Sequence, residues 1–195
     1  MMFRFFLGFI VGLAFAATAD AAVIKGVVEG GKSIKRSPVV VYLGEAPGEF
    51  KKPVSNPTLD QRNMTFIPHI LPIQTGTTVD FLNNDEVKHN VFSPDHEKYN
   101  LGTWPKSAIK QYTFTNKGVY TQLCNVHPEM ESFIVALDTP YFALTDQDGN
   151  FELQGVPPGN YTVKVWHEKL RFKKQQIAVT EKGIEKIVFE RKKRK

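Results

Sequence analysis

The chain has 195 residues, 42% of them hydrophobic and 23% charged, which is enough to bury a core and excludes both a disordered polymer and a polytopic membrane protein. Its formal charge of +5 is unevenly placed: residues 45–137 hold eight basic against ten acidic side chains, and the five cations of residues 191–195 equal the whole excess. No face interleaves basic residues with aromatics as a nucleic-acid surface requires, so nucleic acid is excluded as a partner. Fifteen Phe and six Tyr set among Val-rich runs broken by Gly, Pro and Asp-Gly predict an all-β fold.

In chain order, Arg4 precedes an apolar run over residues 5–17, followed by Ala19-Asp20-Ala21. The run is shorter than the ~20 apolar residues that span a bilayer. Together with the small-x-small triplet it predicts a signal peptide over 1–21, export to the periplasm and a mature chain starting at Ala22. Residues 23–28 and 38–43 alternate and are β-branched, predicting two strands. His69, in Phe66-Ile-Pro-His69-Ile-Leu, reads as a structural or surface residue near a strand end, because no partner donor stands beside it. Gly76-Thr-Thr-Val-Asp-Phe-Leu-Asn83 predicts a strand leading to His89-Asn90-Val91. His96 reads as an exposed loop residue, and Trp104 as the cover of a core edge.

Cys124 is the one cysteine of a chain predicted to be exported, so it has no disulfide partner within it. The sequence runs Gly118-Val-Tyr120-Thr-Gln-Leu-Cys124-Asn-Val-His127-Pro-Glu-Met130. A strand that delivers Cys124 and then turns tightly presents three donors to one point. A thiolate, imidazoles and a weak thioether suit copper, and two His with one Cys and a distant axial Met describe a type 1, or blue, centre. The second imidazole must come from elsewhere, and His89 is the candidate. Zinc is disfavoured because structural zinc sites seldom recruit Met. A dinuclear copper site needs two bridging Cys.

After this segment the strand pattern resumes at residues 141–145, 150–153, 161–166, 176–179 and 184–189. Asp146-Gln-Asp148-Gly149 between two of these runs predicts a hairpin turn rather than a calcium loop, since no later carboxylate follows it. His167, at a strand end, is expected on the surface. The last five residues read as a solvated basic tail, with contact to a membrane surface as the other use of such a charge block.

The motifs at residues 76–83, 89–91 and 118–130 resemble those of the cupredoxins, particularly plastocyanin and amicyanin, over roughly residues 60–137. The resemblance implies a Greek-key β-sandwich holding one type 1 copper ion, with His89, Cys124 and His127 as equatorial ligands and Met130 as the axial one. It also implies that Asn90 ties the ligand loops together and donates its N–H to the Cys sulfur. Val126 stands where those proteins place Pro, and Glu129 where an apolar residue is usual; neither removes a donor. The outer segments, 22–44 and 138–190, resemble the carboxypeptidase regulatory-like, transthyretin-type β-sandwich through residues 145–151 and 156–161. The copper domain, 45–137, is then inserted between its second and third strands. The combined layout is similar to exported proteins described as plastocyanin-like or methylamine-utilisation proteins.

The function implied is one-electron carriage between redox partners, such as a dehydrogenase or a cytochrome docking near His127. No enzymatic activity is expected, because four ligands leave no open position on the metal. The alternative is a periplasmic copper-binding or copper-delivery protein without an electron-transfer role. The sequence shows no Met- or His-rich tract that would favour it, with four Met and five His in all.

Overall fold

The computed structural model describes residues 22–192. The signal-peptide expectation for residues 1–21, and the last three residues of the basic tail, lie outside the described residues. Sixteen strands and one short helix follow one another in the described chain. The chain begins with β1 (Ala22–Glu29), α1 (Lys32–Arg36) and β2 (Val40–Leu43). Nine strands come next: β3 (Thr58–Arg62), β4 (Thr65–Ile67), β5 (Ile70–Gln74), β6 (Thr78–Leu82), β7 (His89–Ser93), β8 (Tyr99–Trp104), β9 (Ile109–Thr113), β10 (Gly118–Leu123) and β11 (Glu131–Leu137). The last five are β12 (Phe142–Leu144), β13 (Asn150–Val156), β14 (Gly159–Trp166), β15 (Gln175–Val179) and β16 (Ile184–Glu190).

These strands form four sheets, ordered β13-β1-β16, β12-β2-β14-β15, β5-β11-β10-β7-β8 and β4-β3-β6-β9. The first two sheets draw on both ends of the chain and close over one core that includes Ile24, Val28, Val41, Leu43, Phe151, Leu153, Val163 and Phe189. The other two enclose a second core around Leu59, Phe66, Val79, Phe81, Phe114, Tyr120 and Ile134. The fold is therefore all-β, with a Greek-key sandwich inserted into another. The chain leaves and re-enters the outer sandwich at one place. Leu43 N–H donates to Tyr141 O at 3.0 Å and Thr139 Oγ1 to Leu43 O at 3.2 Å, so the insertion leaves β2 free to pair with β12.

β11 is buried on both faces, and the pleat explains its unbroken apolar run. Ile134 and Ala136 enter the inner core. Phe133, Val135 and Leu137 point the other way and pack with Val40, Ile70, Tyr42, Phe142 and Trp166 into a third cluster between the sandwiches. The Phe133 and Trp166 rings meet edge to face, with centroids 5.4 Å apart.

Local chemistry sets the turns. Asp146 accepts the N–H groups of Asp148 and Asn150 on Oδ1 and the Asn150 amide on Oδ2, while Gly149 adopts φ +89°. Its carboxylate is spent on closing the hairpin, and the Asn150 side chain contributes most to holding it below the usual aspartate range. Helix α1 lies in a segment where no helix is predicted; it follows Gly31 and buries Ile34 against the outer core. His167 departs from its expected surface position: it is buried, and Nδ1 accepts the N–H groups of Lys169 at 2.9 Å and Leu170 at 3.2 Å. It thus closes the turn that follows β14, and desolvation lowers its pKa.

Candidate metal centre

The site forms where β7 begins and β10 ends. Asn83, just beyond β6, shapes the loop before β7: Nδ2 donates to Val87 O and to Trp104 O, both at 3.0 Å, and Oδ1 accepts Asp85 N–H at 2.9 Å. This delivers His89, the first residue of β7, to a fully buried position. Pairing of Leu123 with Phe92 brings the end of β10 alongside β7, and Cys124 follows at once, also buried. At Gly118, at the start of β10, the exposed His96 ring occupies the space a Cβ would take, with Nε2 2.4 Å from that position. Tyr120 donates to Asn116 O at 2.9 Å, and burial pushes its phenol up to about 12.

A tight turn then carries the remaining donors. Met130 N–H donates to His127 O at 3.0 Å, folding residues 127–130 back on themselves. His127 is half-buried, with Val126 beside it 48% exposed. Met130 is buried within the same apolar cluster as Cys124. Asn90 bridges the loops, its Oδ1 accepting Asn125 N–H at 3.4 Å while Nδ2 donates to Asn100 Oδ1 and Gly102 O, both at 2.8 Å.

Donor atoms of His89, Cys124 and His127 lie within 4.8 Å of one another. Nδ1 of His89 and Nδ1 of His127 face each other at 3.0 Å, with ring centroids 4.7 Å apart. On the far side of its ring, Nε2 of His89 is 2.7 Å from Asp85 Oδ2. A carboxylate accepts the proton on Nε2 and leaves Nδ1 with its lone pair, which is how metal-bound histidines are ordinarily oriented. Two imidazole nitrogens and a buried sulfur within 4.8 Å of one another make a donor set that fits a soft-to-borderline metal ion.

Asp85 has no role in the sequence reading. Its available signal was an acidic residue four positions before a candidate ligand, in a loop rich in Asn and Asp. Its carboxylate is held from the other side by the β3–β4 turn, where Asn63 and Met64 both have φ +53° and donate their N–H groups at 2.5 and 2.9 Å. Desolvation acts to raise its pKa, but the hydrogen bonds from Met64, His89 and Asn63 outweigh it and hold the carboxyl below the usual aspartate range.

The other histidines stand apart from this cluster. His69 lies between β4 and β5 and reaches Glu168 of the outer sandwich. His96 is exposed in a turn with φ +43° and packs on Tyr120. Trp104 is buried in the inner core.

Residues 138–190 match the family described as BOS complex subunit NOMO1-like, second beta sandwich domain. The match covers the C-terminal part of the outer sandwich and does not extend to residues 22–44. No curated protein matches the chain. Among solved structures, a reduced mutant of amicyanin is 24% identical, with 43% of this chain and 84% of that one covered and a TM-score of 0.41. A reduced Cu(I) form of another amicyanin mutant is 25% identical over 42% of this chain and 81% of that one, at 0.40. A purple cupredoxin from Nitrosopumilus maritimus is 23% identical over 42% and 99%, at 0.39.

Proposed function

We propose that this protein is an exported type 1 copper protein that carries single electrons between redox partners. The observation that carries the reading is the convergence of His89, Cys124 and His127 within 4.8 Å, with the Nε2 of His89 already engaged by Asp85. Residues 45–137 are then the copper domain, and 22–44 with 138–190 the sandwich that carries it. His89 and His127 would offer Nδ1, Cys124 its thiolate and Met130 a weak thioether. Copper held by such a set supplies a one-electron couple between Cu(II) and Cu(I).

The chain's own part is to hold the donors still. His89 is fixed by Asp85, the ligand loops are joined through Asn90, and Cys124 and Met130 are kept from water by the inner core. His127, half-buried, brings the site to the surface beside exposed Val126, Pro128 and Glu129. A redox protein such as a dehydrogenase or cytochrome would dock at this edge, through the small, quickly released interface that such encounters use. Glu129 at its rim would favour a basic partner over an acidic one. Periplasmic placement is part of this reading, on the apolar run and small-x-small triplet of residues 1–21, and the basic tail is read as solvated, with a membrane surface as its other use.

The test is the visible and electron-spin-resonance spectrum of the copper-reconstituted protein. An intense thiolate-to-copper band with narrow hyperfine splitting is expected, and Cys124→Ser should abolish it, because a hydroxyl cannot form the covalent thiolate bond. A colourless protein that binds only Cu(I) would overturn electron carriage in favour of delivery.

A further inference from the structure

His69 joins three separate parts of the molecule. Its Nδ1 lies 3.2 Å from the carbonyl oxygen of Glu131, the residue directly after Met130. A carbonyl only accepts, and so does the carboxylate that faces Nε2, so the ring serves both partners with a proton on each nitrogen. Its Nε2 lies 3.3 Å from Oε1 of Glu168, which follows β14 in the outer sandwich and keeps only 11% of its side chain accessible. Its own carbonyl accepts Phe133 N–H at 2.9 Å, and its ring meets Phe133 edge to face at 5.6 Å. Phe133 in turn packs on Trp166. The first residues of β11 are therefore gripped by His69 through side chain and main chain alike, and His69 is gripped by the outer sandwich.

We propose that His69 is a positioning residue through which Glu168 of the outer sandwich sets the place of the Met130 thioether. This rests on the copper reading above. The axial bond in such a centre is long and weak, so the protein rather than the metal decides where the sulfur sits, and the axial donor tunes the reduction potential. The peptide after Met130 is anchored on one side by pairing of Glu131 with Leu123 and on the other by His69. Release of the second anchor lets the Met130 backbone relax without removing any ligand. The outer sandwich thereby tunes the redox site from outside the domain that holds the metal.

The experiment compares wild type, His69→Ala, His69→Asn and Glu168→Ala in the full mature chain, with two readouts. One is the Cu(II)/Cu(I) equilibrium against a fixed reference couple; the other is the Met130 methyl resonance of the metal-free protein. His69→Ala should change the equilibrium constant about threefold or more, roughly 30 mV at 59 mV per tenfold, and should move the methyl resonance. Glu168→Ala should shift both in the same sense. His69→Asn, whose amide nitrogen takes the place of Nδ1, should return both towards wild type. A potential or a methyl resonance unchanged in His69→Ala, with only the stability lowered, overturns the proposal. Failure of the wild type to give a thiolate-to-copper band would sink the copper reading alone, since the metal-free resonance still decides whether His69 places Met130.

Discussion

Truncating Asp85 to Ala tests the least sequence-visible part of the centre. In the structure its Oδ2 takes the proton on Nε2 of His89 at 2.7 Å, while Asn63 and Met64 N–H groups hold the same carboxylate at 2.5 and 2.9 Å. His89 is fully buried, so its Nε2–H loses the one partner the folded chain supplies on that side. An orphaned buried donor costs about 1–3 kcal/mol. Loss of such a partner behind a metal-bound histidine lowers metal affinity about 10- to 100-fold, or about 1.4–2.8 kcal/mol at 1.4 kcal/mol per tenfold. The first figure is a cost to folding and the second a cost to metal binding, so Asp85→Ala should lower both. Asp85→Asn should fall between, since an oxygen in the place of Oδ2 can still serve His89 and Met64 while its amide faces the Asn63 donor. The assay is competition for copper against a chromophoric chelator, with circular dichroism to confirm that the β content is unchanged. An affinity for Asp85→Ala within about twofold of wild type would refute the orienting role, being well below the range such partners show.

Three further outcomes are expected. Met130→Leu should keep copper and colour but raise the reduction potential, because losing even a weak donor disfavours Cu(II); a lower potential by voltammetry would remove Met130 from the axial position. Phe133→Ala, which empties the space against Trp166 between the sandwiches, should cost about 3–5 kcal/mol in denaturant titrations, whereas a loss below about 1 kcal/mol would show that the interface collapses to fill the gap. The third concerns pH. Glu97 accepts hydrogen bonds from Thr115 Oγ1 and Asn116 N–H, both at 2.6 Å, and from Tyr112 at 3.1 Å. Desolvation acts to raise its pKa, but these bonds outweigh it and hold the carboxyl below the ordinary 4.5. The folded-state pKa is depressed, so the stabilisation is present above 4.5 and fades as pH falls through the folded-state value. Glu97→Gln should therefore be less stable than wild type at pH 7 and approach it in acid; a gap independent of pH would contradict the assignment.

The sequence by itself determined the period and the chemistry of most of this molecule. Alternation in residues 23–28 and 161–166 marked strands because a half-buried pleat has a period of two. The Cys124-x-x-His127-x-x-Met130 spacing marked a candidate metal centre because donor type is a property of each side chain and a single tight turn carries all three residues. His89 was legible only as the second imidazole such a set requires. What the sequence could not supply was decided by residues far apart in the chain. Asp85 became part of the site because the β3–β4 turn, 21 positions away, holds its carboxylate. His167 became buried because its ring closes a turn against the outer core, which no local pattern reports. The two faces of β11 belong to different cores, which only the tertiary structure decides. Local patterns record what each side chain can do; long-range packing decides which partner it meets, and through His69, Phe133 and Glu168 that packing brought the outer sandwich within reach of Met130.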